Sequence, residues 1–414
     1  MKLSCLACHR AHEVDYRGYV CASCGANLEV LYAGPAGPFP AEEPRGKRTL
    51  WRYEALLPLR GPVPEGLLAV GWTPLHTWPA LAKQLGLSSL YLKDDTRNPS
   101  ASFKDRAGAV VLRHALERGE RVICAASTGN AASSLACLAA GVGMTTVIFV
   151  PAAAPRAKIA QLVLFGARVV LVDGTYDDAF DLSLAASKRF GWYNRNTGYN
   201  PITREGKKTC AFEIAEQLGW KVPDLVFVPT GDGNILSGVG KGFRELAELG
   251  LIERSPRLVA VQAEGSAAIT AAWKSGKPIA PVSGKTVADS ISVSLPRDGL
   301  AALIAVRQSE GFCLTVADEE ILEAVVRLAG TRGVFAEPAG AAAFAGLLKA
   351  TREGLIEKGS SAALLVTGSG LKDIDAALGR IASPPKVAPQ LAAFERLAAT
   401  WPDLVPGAAD PRSN

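Results

Sequence analysis

The sequence predicts an α/β fold built on parallel sheets, with a small cysteine-rich module in front of it. Seven short apolar runs alternate with longer helical stretches from about residue 88 onward. The runs are continuously apolar instead of alternating, as expected of strands buried on both faces under helices. Four of the eight cysteines are gathered in two close pairs near the N-terminus. With 414 residues, 48% of them hydrophobic and 21% charged, the chain can bury a sizeable core, and its length suggests roughly two or three domains.

Residues 1–32 are short and polar and carry both pairs, Cys5-x-x-Cys8 and Cys21-x-x-Cys24, with twelve residues between them. Two tight turns that each offer two thiolates match a tetrahedral zinc ribbon. Two other readings compete. Four thiolates also suit an iron site, and Cys5-Leu6-Ala7-Cys8-His9 has the form of a haem-attachment string. Haem attachment would call for export and would leave the second pair unexplained. Four thiolates leave no open coordination position, so the expected role of Zn2+ is structural, and the metal would supply folding free energy that so small a core lacks. Residues 33–48, rich in proline and glycine, read as a linker. Cys124, Cys137, Cys210 and Cys313 sit among apolar neighbours, as reduced core thiols do.

The strand-like runs are Leu90–Leu92, Val122–Ala125, Thr146–Val150, Arg168–Val172, Leu225–Val228, Leu258–Val261 and Ala363–Val366, most of them followed by a helical pattern. No internal repeat is visible, and the end of the chain, 408–414, is polar and expected to fray. The net charge of +5 is spread without a run of like charges, which argues against a nucleic-acid stripe and a polybasic membrane segment. No stretch has the 18 or so consecutive apolar residues of a membrane span, and the start lacks the apolar content of a signal peptide; the cytoplasm is the expected compartment.

The residues that carry chemistry cluster at the ends of these runs. Lys104 lies in Asn98-Pro99-Ser100-Ala101-Ser102-Phe103-Lys104-Asp105-Arg106, between a strand and a helix, with Ser102 as the expected N-cap and Asp105 in the first turn. The positive end of a helix disfavours an ammonium and favours the free amine that attacks a carbonyl. A lone lysine is usually a solvated surface charge, so its surroundings decide. Ser127-Thr128-Gly129-Asn130 follows a strand and precedes a helix from Ala131, a turn whose free N–H groups suit a carboxylate. Thr230-Gly231-Asp232-Gly233-Asn234 repeats the arrangement and suits a phosphate, with the Asp232 carboxylate expected to point away. A third turn, Thr367-Gly368-Ser369-Gly370, closes the last strand. Each such turn alone is as often a tight connection as a binding loop.

Together with Gly71-Trp72-Thr73-Pro74-Leu75, Lys93-Asp94-Asp95, Glu205-Gly206-Lys207-Lys208-Thr209 and Glu337-Pro338-Ala339-Gly340, these strings occur in an order that resembles the threonine synthase family, over about residues 1–380. The resemblance implies a fold-type II pyridoxal-phosphate enzyme, similar to the tryptophan synthase β chain, with two parallel-sheet domains. These would be a large one at 49–104 and 200–382 and a small one at 105–199, between the zinc ribbon at 1–32 and a tail at 383–414. It implies that Lys104 forms the Schiff base with pyridoxal 5'-phosphate, that Asn130 meets the ring hydroxyl, that Thr230, Gly231, Asp232, Gly233 and Asn234 hold the cofactor phosphate, and that Thr367 meets the pyridine nitrogen. Ser127, Thr128 and Gly129 would take the carboxylate of a small, phosphorylated amino acid. A hydroxyl partner for the pyridine nitrogen implies a weaker electron sink than an aspartate would give, suited to elimination and replacement. A homodimer is the family expectation.

For the reaction, the resemblance implies a lyase that converts O-phosphohomoserine and water to threonine and phosphate. The substrate phosphate then needs its own partners, for which Lys207, Arg204, Asn200 and Asn196 are candidates. Two departures keep alternatives open. The family arginine two residues after Asn-Pro is displaced by one position, in Asn200-Pro201-Ile202-Thr203-Arg204, and the segment Val287–Arg297 looks more like cysteate synthase, which replaces the phosphate of O-phosphoserine with sulfite. A β-replacing enzyme, a dehydratase or ammonia-lyase, and a binding protein that has kept the fold therefore stand beside the main reading.

Overall fold

The computed structural model describes residues 1–13, Tyr16, 18–32 and 48–401. The expected linker, except Arg48, and the frayed end at 408–414 lie outside the described residues. The chain forms two units, Met1–Ala377 and Leu378–Asn414; the second contains a short helix, Leu391–Ala398.

The N-terminal segment is a small antiparallel sheet with β1 (Lys2–Cys5) between β2 (Ala11–His12) and β3 (Leu28–Leu31). Alternation sends Leu3, Cys5, Leu28 and Val30 to one buried face. So few residues cannot cover that face from within. The face therefore joins the core that also contains Val110, Val111 and Leu135. The sequence suggests a tethered module; the structure packs it into the same unit as the rest.

The chain next forms β4 (Leu75–Thr77), α1 (Pro79–Gln84) and β5 (Ser89–Asp94), and then α2 (Lys104–Glu117). A four-stranded parallel sheet follows, built from β6 (Val122–Ala126), α3 (Asn130–Val142), β7 (Thr145–Pro151), α4 (Arg156–Leu164), β8 (Arg168–Val172), α5 (Tyr176–Phe190) and β9 (Tyr193–Asn194), in the order β8-β7-β6-β9. The chain returns through α6 (Ile202–Gln217), β10 (Leu225–Pro229), α7 (Asn234–Glu248), β11 (Arg257–Ala263), α8 (Ala268–Ser275), α9 (Gly299–Gln308), β12 (Phe312–Val316), α10 (Asp318–Arg332), α11 (Pro338–Arg352) and β13 (Ser361–Val366). These strands complete a six-stranded sheet, β12-β11-β10-β13-β5-β4, parallel except for β4 at its edge.

All seven predicted runs are strands. Besides the three strands of the N-terminal sheet, β4, β9 and β12 are additional, and of these only β12 has the length of an ordinary strand. The central strands are apolar throughout because helices cover both faces: β10 is buried at every residue. One expectation is corrected. Ser102 is not the N-cap of α2; Phe103 takes that position, and no side chain caps it. The turn is held instead by Asp105, whose carboxylate accepts from Ser100 N–H at 2.6 Å and Ser100 Oγ at 2.5 Å.

A buried ionic network fixes α2 to α6 and to the end of β5. Arg106 donates to Asp95 through Nε at 2.6 Å and Nη2 at 2.9 Å, and to Glu213 through Nη1 at 2.5 Å and Nη2 at 2.8 Å. Lys93 Nζ also meets Glu213, at 2.7 Å. Two cations face two carboxylates, so the cluster is electrically balanced away from water.

Candidate active site

Three helix N-termini converge on one cavity. Lys104 opens α2, Asn130 opens α3 after the 127–129 turn, and Asn234 opens α7 after the 231–233 turn. Residues from all three line a space of about 540 Å³. The first N–H groups of α3 and α7 and the positive ends of the helices make this space favourable to anions. Glycine is required where the backbone comes closest: Gly233 has φ +89°, and a Cβ at Gly231 would lie 2.8 Å from the Ile291 Cα.

The charges inside are finely opposed. Burial lowers the pKa of Lys104 below that of an ordinary lysine, with Glu337 and Asp232 opposing and Arg195 assisting. Burial also holds Lys207 well below its usual range, and Lys104 and Arg195 push it further down. Lys207 donates to Asn234 Oδ1 and lines the cavity. Burial raises the carboxyls of Asp232 and Glu337. Asp232 Oδ1 accepts from Arg297 N–H at 3.0 Å, which turns that oxygen toward the neighbouring loop. Asn130 Nδ2 donates to Glu337 Oε1 at 2.8 Å and lies 3.3 Å from Ser290 Oγ, so its amide is oriented from two sides.

The predicted residues are not all brought together. Lys104, Ser127, Thr128, Gly129, Asn130, Lys207, Gly231, Asp232, Gly233 and Asn234 line the cavity; Thr230, Thr367 and Arg204 do not. Thr230 donates its hydroxyl to Val228 O at 2.8 Å and its N–H to Val261 O at 2.8 Å, so the open part of that turn begins at Gly231. Thr367 is buried beyond the end of β13, where its carbonyl accepts from Phe103 N–H at 2.8 Å, next to Lys104. Arg204 is spent elsewhere: Nη2 pairs with Asp298 at 2.5 Å, Nε with Ser237 Oγ at 3.1 Å and Nη1 with Leu28 O at 3.0 Å. It locks β3 to the core and has no fork left for a substrate. Asn196 holds Ala126 N–H and Ser183 Oγ, and Asn200 holds Asn194 O and Ile202 N–H, so both amides shape the loop. Of the four candidates for a substrate phosphate, only Lys207 reaches the cavity.

Sequence reasoning missed the roles of Glu337 and Asp298 and the position of Arg195. Glu337 was legible as part of a motif, and Gly368 gives the second signal: a Cβ there would lie 2.4 Å from Glu337 Oε1. The segment from Asp289 to Arg297 contributes much of the cavity wall.

Residues 67–368 match the family described as pyridoxal-phosphate dependent enzyme. Over 399 residues the chain is 38% identical to a protein named threonine synthase from Methanocaldococcus jannaschii, covering 95% of this chain and 98% of that one. A threonine synthase of Mycobacterium tuberculosis is 39% identical over 75% of this chain and 84% of its own length. The chain belongs to the threonine synthase family of pyridoxal-phosphate dependent enzymes. Solved structures share the fold: threonine deaminase isoform 2 from Solanum lycopersicum superposes with a TM-score of 0.63 at 24% identity over 74% of this chain and 83% of that one. Maize serine racemase gives 0.62 at 22% identity, over 72% and 88%.

The residues of this threonine synthase family member fit the family's cofactor. Lys104 supplies a half-buried amine at the cavity wall, the 231–234 turn a glycine-lined stretch where a Cβ at Gly231 would strike the Ile291 backbone, and Asn130 an amide oriented by Glu337 and Ser290. The cysteine cluster passes a similar test. The Sγ atoms of Cys5, Cys8, Cys21 and Cys24 all lie within 4.8 Å of one another, with Cys5–Cys24 at 3.4 Å, Cys8–Cys24 at 3.5 Å and Cys8–Cys21 at 3.6 Å. Four sulfurs around a tetrahedral zinc at about 2.3 Å would be about 3.8 Å apart. All eight cysteines are free. Among the described residues no helix is long and apolar enough to cross a membrane.

Proposed function

We propose that this protein is a threonine synthase, converting O-phosphohomoserine and water to threonine and phosphate. The observation that carries the proposal is the convergence of Lys104, two N–H-rich helix starts and Lys207 on one cavity, in a chain whose relatives carry that name. The bound pyridoxal phosphate supplies the electron sink that labilises protons next to the amino group. The chain's own groups do the rest. Ser127, Thr128 and Gly129 would orient the substrate carboxylate at the start of α3, Asn130 would hold the ring hydroxyl, Gly231 to Asn234 would hold the cofactor phosphate, and Thr367, next to Phe103 at the cavity's edge, would be the partner of the pyridine nitrogen. Lys104, its pKa depressed by burial, has a free amine that takes the proton from Cα. A Cβ proton is removed and the Cγ–O bond breaks, so that phosphate leaves with the electron pair of that bond; a proton is then added at Cγ, water gives its hydroxyl to Cβ and its remaining proton to the solvent, and Cα is reprotonated. The cysteine cluster fits Zn2+ in a structural role. The large domain at 49–104 and 200–382, the small domain at 105–199, a homodimer and a cytoplasmic setting belong to the same reading.

A second reading rests on the wall formed by Asp289 to Arg297, the segment that resembles cysteate synthase: replacement at Cβ of O-phosphoserine. Supplying the holoenzyme with O-phosphohomoserine, and separately with O-phosphoserine and sulfite, distinguishes the two. Phosphate and threonine are expected from the first. Phosphate from phosphoserine alone would move the assignment to β-replacement or elimination.

A further inference from the structure

Arg195 stands apart from the other buried arginines. Arg106 holds Asp95 and Glu213, Arg113 holds Glu54 and Glu117, and Arg204 holds Asp298. Arg195 is fully buried, and among the described residues its Nε and Nη2 have no hydrogen-bond partner. Among the same residues, its guanidinium bonds through Nη1 to Thr197 Oγ1, at 2.7 Å. A guanidinium taken out of water without a counter-charge costs several kcal/mol, so a site of this kind is stable only where an anion is to be met.

Arg195 does not itself line the cavity, but the residue that its guanidinium holds does. Arg195 follows β9 directly; its N–H donates to Cys124 O at 2.8 Å in the middle of β6, and the next residue, Asn196, accepts at 2.7 Å from Ala126 N–H at the carboxyl end of β6, just before the 127–129 turn. Ligands of parallel sheets bind at those ends. The groups that feel its charge are Lys104, Lys207, Asp105 and Tyr176. Asp105 is not its partner, because both carboxylate oxygens accept from Ser100. Thr197 lines the cavity together with Lys207 and Tyr176. Because its oxygen accepts from Arg195, the Thr197 hydroxyl has its hydrogen free to donate into the cavity.

We propose that Arg195, acting through Thr197 at the cavity wall and together with Lys207, seats the phosphate of the amino-acid substrate. The proposal rests on the reading of this cavity as one that takes a phosphorylated amino acid. The start of α3 suits a carboxylate and the start of α7 a cofactor phosphate; a second phosphate needs a third group of donors, and Arg204, the arginine expected to provide it, is committed to Asp298. Arg195 is thus a positioning residue that sets specificity for a phosphorylated over a plain amino acid.

The test uses wild-type, Arg195→Met and Arg195→Lys holoenzymes. Three quantities are read: KM and kcat for phosphate release from O-phosphohomoserine, the affinity for inorganic phosphate from the cofactor absorbance and the melting temperature, and the spectral affinity for unphosphorylated L-threonine. In Arg195→Met, KM for O-phosphohomoserine and the dissociation constant for inorganic phosphate should each rise about 3- to 10-fold, the size of the hydrogen bond from Thr197 that Arg195 orients. Threonine affinity should stay within about twofold of wild type, and Arg195→Lys should fall between. Unchanged phosphate affinity in either variant, with cofactor bound, would overturn the proposal; so would an equal loss for threonine, which would mark Arg195 as merely structural. If Arg195→Met does not fold, Arg195→Lys still reads the loss of the planar fork. The phosphate titration does not depend on turnover, so a wild type that binds phosphate but yields no threonine would count against the proposed function and not against this seat.

Discussion

Glu213 is the residue on which most of the buried charge depends, since it meets both Arg106 and Lys93. Burial alone would raise its pKa, but the two cations outweigh burial and hold it at about 2, against an ordinary 4.5. A carboxyl depressed on folding contributes stability that is fully present above pH 4.5 and is lost as pH falls toward 2. Glu213→Gln should therefore cost about 3 to 5 kcal/mol at neutral pH by leaving a buried cation unpaired. Its stability should also vary less between pH 4.5 and 2, which denaturant melts at several pH values would read. If the variant keeps wild-type stability at pH 7, the network is not a stabilising one. The network was not legible in the sequence: Lys93, Asp95 and Arg106 stand in quoted strings, but Glu213, which joins them, is 107 residues beyond Arg106 and nothing local marks it as buried. Lys104 was legible because its neighbours in sequence already encode a strand, a turn and a helix. Arg195 was not: a short polar stretch after a two-residue strand gives no sign that its guanidinium is sealed from water.

The helix starts were legible for the same local reason. A glycine-rich turn between an apolar run and a helical pattern needs no tertiary information, and all three turns are found where expected, with the N-cap of α2 the one misreading. The N-terminal sheet was legible as a metal-binding pattern but not as a packed element. Tyr32 donates to Glu205 at 2.6 Å, Lys241 to Val30 O at 2.6 Å, and Asn27 to Asp298 at 2.9 Å, and Asp298 in turn accepts from Asn234 at 2.7 Å. The N-terminal sheet thus supports α6, α7 and Asn234, the residue that ends the phosphate turn and opens α7. If the cluster binds zinc as proposed, Cys5→Ala or removal of the metal by a chelator should lower the melting temperature of the whole unit, not only of 1–32, and should weaken retention of pyridoxal phosphate. A metal-free protein with an unchanged melting curve and cofactor spectrum would mean that these contacts carry no stability.

The fold as a whole follows from strand composition. Continuously apolar strands separated by helices admit a parallel sheet, and a chain that leaves one sheet to build a second and then returns puts strand ends and helix starts of both around one crevice. Which groups of the chain turn into that crevice was readable only in part, because loops such as 289–297 have no periodicity to read. The proposed chemistry makes a demand on the entire assembly: carbon–oxygen bond breakage at Cγ, then capture of water at Cβ, with Lys104 essential. The decisive measurement is to run the holoenzyme on O-phosphohomoserine in 18O-labelled water and analyse both products by mass spectrometry. The account predicts threonine with one labelled hydroxyl oxygen, phosphate without label, and neither product from Lys104→Ala; labelled phosphate with homoserine, or turnover that survives in Lys104→Ala, would contradict it.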